Sequence, residues 1–157
     1  MKNYFLNLSC EKKTIELGNE LGLLCYNQPV NIYLYGDLGS GKTTFVRGFL
    51  RASGYYGIVK SPTYTFVESY KVYDILLYHI DLYRINNQCE LDSIGICEYF
   101  GNTICLVEWP QCGKGMLPLP DLKLVFHYIG DKRKVQLIAY SSFTKYLLEE
   151  LYYLRNK

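Results

Sequence analysis

Residues 30–50, VNIYLYGDLGSGKTTFVRGFL, pass from an apolar run through a glycine-rich loop into an amphipathic segment, and this stretch restricts the fold of the chain most narrowly. Val30 to Tyr35 is apolar and rich in β-formers, the pattern of a strand buried on both faces. Phe45, Val46, Phe49 and Leu50 recur at helical spacing, with Gly54 as a stop signal. Between these segments Gly36, Gly41, Lys42 and Thr43 satisfy G-x-x-x-x-G-K-[ST]. A loop that ends on a helix N-terminus meets unpaired N–H groups and the positive end of the dipole, and both attract an anion. Gly39 and Gly41 carry no Cβ to block a phosphate and can turn successive N–H groups inward. Lys42 is then expected to reach β- and γ-phosphates, and the Thr43 hydroxyl to take a place on Mg²⁺. A plain left-handed turn between strand and helix would explain the glycines but not the Lys-Thr pair behind them.

The chain of 157 residues is expected to form a single domain, with 49% hydrophobic and 20% charged residues, an ordinary globular composition. A net charge of +2 predicts neither a nucleic-acid groove nor a membrane surface, and Lys132-Arg133-Lys134 reads as a solvated turn. No apolar stretch reaches membrane-spanning length, and MKNYFLNLSCEKK breaks into polar residues too early for a signal peptide. A cytoplasmic location is expected. Six cysteines, none two residues from another, give no zinc or redox spacing and read as free structural thiols.

Along the chain, YFLNLS reads as a first strand, with Ser9 capping a helix over residues 11–26. Residues 61–85 read as two adjacent antiparallel strands turning at Tyr73-Asp74. CELDSIGICEYF predicts a short helix, and TICLVEW a buried strand. DLKLVFHYIG and KVQLIAYS predict a closing hairpin around residues 130–133, and the last helix is capped at Ser142. The expected architecture is an α/β, P-loop NTPase-like domain with a mixed parallel and antiparallel central sheet flanked by helices.

Such a loop needs an acid at the end of a neighbouring apolar strand. Glu108 ends ICLVE and Asp81 ends LLYHID, and either could orient a metal's water shell or activate the attacking water. Spacing leaves open which does which. In KSPTYTF, Pro62 holds Ser61 extended, and Thr63 or Thr65 could point at the metal as a switch hydroxyl. The guanine-reading N-K-x-D pattern does not occur, and Asp92 to Gly95 matches D-x-x-G only inside a helical stretch, so ATP is the expected nucleotide.

The segments GDLGSGKTTFVRGFL, VKSPTYTFVESY, YHIDLYR and LVEWP, in this order, resemble the TsaE (YjeE) family over nearly the whole chain. The resemblance implies a weak intrinsic ATPase of bacterial tRNA threonylcarbamoyladenosine modification, working with TsaD and TsaB and reaching tRNA through that complex. It implies that Gly39, Ser40, Gly41, Lys42, Thr43 and Thr44 hold the ATP phosphates. Thr43 and Glu108 would bind Mg²⁺, Asp81 would orient or activate water, and Thr63 would supply the switch hydroxyl. Arg133 would lie near the nucleotide, and Trp109 resembles a conformational and partner-contact residue. The family's acidic N-terminal run is reduced here to SCEKKT, with Glu11 its only acid. His79 matches the motif and reads as a satisfied strand histidine. Other readings of the same residues are a small nucleoside or nucleotide kinase, though no arginine-rich lid is present, and a nucleotide-sensing module without useful turnover.

Overall fold

The computed structural model describes residues 2–113 and 115–157. Seven strands form one sheet in the order β1-β7-β6-β2-β5-β4-β3. They are β1 (Lys2–Leu8), β2 (Val30–Tyr35), β3 (Val67–Val72), β4 (Ile75–Asp81), β5 (Ile104–Glu108), β6 (Leu122–Ile129) and β7 (Lys132–Ala139). The inner strands β4, β5, β2 and β6 run parallel, and β3, β7 and β1 add antiparallel pairs at the two sides. The helices are α1 (Glu11–Leu24), α2 (Lys42–Arg51), α3 (Gln88–Ser93) and α4 (Ser142–Arg155). The mixed α/β architecture read from the sequence is the one observed.

The period-2 alternation of the inner strands divides the core into two layers. Ile32, Leu34, Leu77, Leu106 and Leu124 face α1, α2 and α4, whose Leu17, Leu21, Phe45, Phe49, Leu147 and Leu151 complete the larger layer. Tyr33, Ile80, Cys105 and Val107 face the other way, onto Leu91 of α3 and Ile96 of the short turn after it. Burying each of these large apolar side chains is worth roughly 1.5–3 kcal/mol. α1 and α2 approach so closely that a Cβ on Gly48 would lie 2.2 Å from the Ile15 carbonyl oxygen, and one on Gly18 2.2 Å from that of Phe45.

Local differences from the sequence reading have local causes. The N-cap of α1 is Cys10 rather than Ser9, and that of α4 is Ser141, whose hydroxyl accepts from the Thr144 N–H, rather than Ser142. The helix expected in CELDSIGICEYF is cut at Gly95 (φ 63°), where α3 gives way to a single turn at Ile96–Tyr99. The β6–β7 turn is confined to Gly130-Asp131, and Lys132-Arg133-Lys134 is strand, with Lys134 paired across to Asn7 of β1. Among the described residues, no helix is long and apolar enough to cross a membrane. All six cysteines are free thiols.

Candidate functional site

The parallel strands β2, β4 and β5 end on one edge of the sheet, and the loop from Gly36 to Gly41 carries the chain from β2 into α2 across that edge. Gly36 has φ 145°, and a Cβ there would lie 2.6 Å from Ser40 Oγ and 2.9 Å from the Phe126 carbonyl oxygen. Gly41, with φ 109°, occupies the N-cap of α2. No side chain caps this helix, so its first amides are left for something else to satisfy.

Lys42 and Thr43 open α2 and line the cradle. The Lys42 ammonium donates to the carbonyls of Gly36 (2.6 Å) and Asp37 (2.9 Å) and approaches Ser40 Oγ at 3.4 Å. Trp109 lies over it at 4.4 Å from the ring centroid. Burial lowers the Lys42 pKa, against the opposing pull of Glu108, Asp81 and Asp37. Thr43 Oγ1 donates to Glu108 Oε1 at 2.7 Å.

Strand register brings the two acids together. Asp81 and Glu108 are direct partners on the parallel strands β4 and β5, so their side chains emerge side by side on the α2 face. They are only 2% and 3% exposed. Asp81 accepts from the Tyr83 N–H through Oδ1 (2.9 Å), and from the Ser61 and Thr63 hydroxyls through Oδ2. Thr65, the alternative switch hydroxyl, instead donates to Glu68 at 3.0 Å, away from this cluster.

A cleft of about 200 Å³ thus gathers Gly39, Ser40, Gly41, Lys42, Thr43, Thr44, Thr63, Asp81 and Glu108, with Ser61, Tyr83 and Trp109 completing its wall. Tyr83 stacks on Trp109 at 4.8 Å. Trp109 itself holds φ 56°, a conformation that costs a bulky residue about 1–3 kcal/mol. Arg133 lies outside this cleft, on the other flank of the loop, where Nη2 donates to the Gly39 carbonyl at 3.3 Å. There it shares a second cleft of about 340 Å³ with Thr44, Cys10, Glu11 and Asp131. Glu11 pairs with Arg47 at 3.2 Å.

Two residues carry more than the sequence reading gave them. Ser61 bonds Asp81 directly. His79, read as a satisfied strand histidine, is satisfied on one side only: Nε2 meets Glu108 Oε1 at 2.8 Å, while Nδ1 is buried and, among the described residues, without a partner. Alternation was the available signal, because His79 lies two residues before Asp81 and so shares its face.

Chemically, the site offers a positive cradle for phosphate and a set of hard oxygen donors in Thr43, Glu108 and Asp81, which suits Mg²⁺. Among the described residues no cluster of three or more His, Cys, Asp or Glu could cage a metal. A magnesium ion here would therefore depend on phosphate oxygens and water for most of its shell.

Known proteins are similar to this chain in sequence and fold. The family described as "Threonylcarbamoyl adenosine biosynthesis protein TsaE" matches residues 8–135. The tRNA threonylcarbamoyladenosine biosynthesis protein TsaE of Haemophilus influenzae is 45% identical over 120 residues, 76% of each chain. The Bacillus subtilis protein of that name is 41% identical over 120 residues, 75% of each chain. The crystal structure of Bacillus subtilis YdiB superposes with a TM-score of 0.79 at 30% identity, covering 98% of this chain and 97% of that one. With its loop and both strand-end acids inside the matched span, the chain belongs to the TsaE family.

Proposed function

We propose that the protein is a Mg²⁺-dependent ATPase that serves tRNA threonylcarbamoyladenosine formation together with TsaD and TsaB, and that the cleft under Trp109 is its hydrolytic site. The observation that carries this reading is the convergence of Thr43, Glu108 and Asp81 beside an uncapped helix N-terminus. The names of the relatives, all given for tRNA threonylcarbamoyladenosine biosynthesis, support the biological setting.

In this reading the α2 amides and the Lys42 ammonium bind the phosphates of ATP. Lys42 exchanges its present carbonyl partners for phosphate oxygens, which are better acceptors. Thr43 and Glu108 hold Mg²⁺, which when bound neutralises charge on the phosphate oxygens. Asp81 is held at both oxygens, so its carboxylate is fixed in direction before any substrate arrives. It orients the attacking water and accepts its proton. Thr63 ties the loop after α2 to that same carboxylate, so movement of the loop changes the water's orientation.

The test is steady-state ATP hydrolysis with Mg²⁺ and with EDTA. Asp81→Asn should keep ATP affinity and lose about 10²–10⁴-fold in turnover. Unchanged turnover in that variant, or hydrolysis indifferent to EDTA in the wild type, would remove the assignment.

A further inference from the structure

We propose that His79 is a positioning residue for Glu108: a buried imidazole whose single polar contact holds the strand-end carboxylate against Thr43. The proposal rests on the metal-site reading above and adds to it the group that aims the carboxylate.

His79 is fully buried in β4, with Leu77 before it on the same face, Leu106 opposite it in β5 and Glu68 opposite it in β3. A strand position in such surroundings suits an aliphatic side chain. An imidazole there carries two polar nitrogens out of water, and leaving one of them unpaired is costly. One is unpaired: among the described residues Nδ1 has no partner. The ring therefore gains its hydrogen bonding entirely at Nε2, 2.8 Å from Glu108 Oε1. The ring's orientation is set by that contact, in which Nε2–H would donate to a carboxylate oxygen.

The same Oε1 accepts from Thr43 Oγ1 at 2.7 Å. Two donors from opposite elements, β4 and α2, thus converge on one oxygen of the last residue of β5. Glu108 has three rotatable bonds before its carboxylate, and holding it without such support costs side-chain entropy. Among the described residues Oε2 takes no side-chain hydrogen bond, which leaves that oxygen for a ligand. His79 does not itself line the cleft and reaches it through its contact with the lining residue Glu108, so it acts through that carboxylate.

Two measurements test this. The first needs no metal or nucleotide: nitrogen-detected NMR of the two histidines, with His127→Gln to assign them. His79 should give the signature of a proton on Nε2 and a bare Nδ1. A proton on Nδ1 alone would leave nothing to donate to Glu108 and would overturn the proposal. The second compares ADP affinity with Mg²⁺ to ADP affinity in EDTA by calorimetry. His79→Leu should reduce that ratio by about 10–100-fold, the scale of losing a ligand's orienting partner. His79→Gln, whose amide N–H reaches the Nε2 position, should restore most of it. A wild-type ratio in His79→Leu overturns the proposal alone, as does equal loss in both variants with equally lowered melting temperatures. A wild type indifferent to Mg²⁺ would instead overturn the metal-site reading on which the proposal stands.

Discussion

Lys42 is a buried cation whose hydrogen bonds go to its own loop, and this sets its behaviour towards phosphate. Removing it as Lys42→Ala takes away a charged hydrogen bond worth about 1.5–3 kcal/mol. ATP affinity measured by calorimetry should fall by roughly 10–150-fold at unchanged fold. Burial disfavours the charged form, so the ammonium is lost at a lower pH than in the unfolded chain. Two consequences of opposite sign follow in the alkaline range. Between the lowered value and 10.5 the unfolded chain holds more protons, so this residue's contribution to folding stability rises with pH. Over the same range phosphate loses its ammonium partner, so ADP affinity should fall, and a calorimetric pH series reads this directly. The thiols divide in the same way. Backbone N–H groups of Lys13 and Lys12 lower the pKa of exposed Cys10, whereas burial raises Cys25 to about 12 and Cys105 to about 11. Limited alkylation followed by mass spectrometry should find Cys10 modified while Cys25 and Cys105 stay protected until the chain unfolds.

At the scale of elements, the α1–α2 pair depends on absent side chains. Gly48→Ala would drive a methyl into the Ile15 carbonyl, and the helices must part to admit it. Overpacking of this kind costs about 1–3 kcal/mol, so the melting temperature should drop by several degrees. Gly54→Ala has open space around it and strains only the backbone at φ 81°, so its loss should stay near the lower end of that range. The Gly48 cost could not be read from sequence, because it depends on how two helices cross, whereas Gly54 was legible as a helix stop. What was legible was periodic: the buried inner strands, the P-loop helix and the β3–β4 hairpin at Tyr73-Asp74 all lie where the residue pattern puts them. Both helix caps lie one residue from the sequence expectation: the Ser141 hydroxyl, next to Ser142, caps α4, and at α1 the N-cap position falls on Cys10, which makes no side-chain cap bond. In the site, Thr43, Glu108 and Asp81 were recoverable because each stands at a strand end or helix start, while Thr63 lies in the turn before β3. The contact between His79 and Glu108 was not, since it runs between β4 and β5 and only parallel register reveals it. Arg133 came within reach of the loop through β7, an antiparallel strand far along the chain, and it does so from outside the main cleft.

For the whole molecule, the sheet order decides where chemistry can occur. β2 sits between β5 and β6, and the loop that leaves it opens towards the β5–β4 side, where two parallel strands deliver their acids in register. Ligands of open α/β sheets bind at the carboxyl ends of such strands, and this cleft is at that edge. The net charge of +2 supplies no strongly basic surface for nucleic acid, in keeping with the proposed action through partners. The most direct test of the account is multiple-turnover formation of threonylcarbamoyladenosine on tRNA by purified TsaB, TsaC and TsaD, with this protein, without it, and with Lys42→Ala in its place. The account predicts cycling that depends on the wild type, on ATP and on Mg²⁺, and that stops with the variant. Cycling that is unaffected by leaving the protein out, or fully supported by Lys42→Ala, would contradict it.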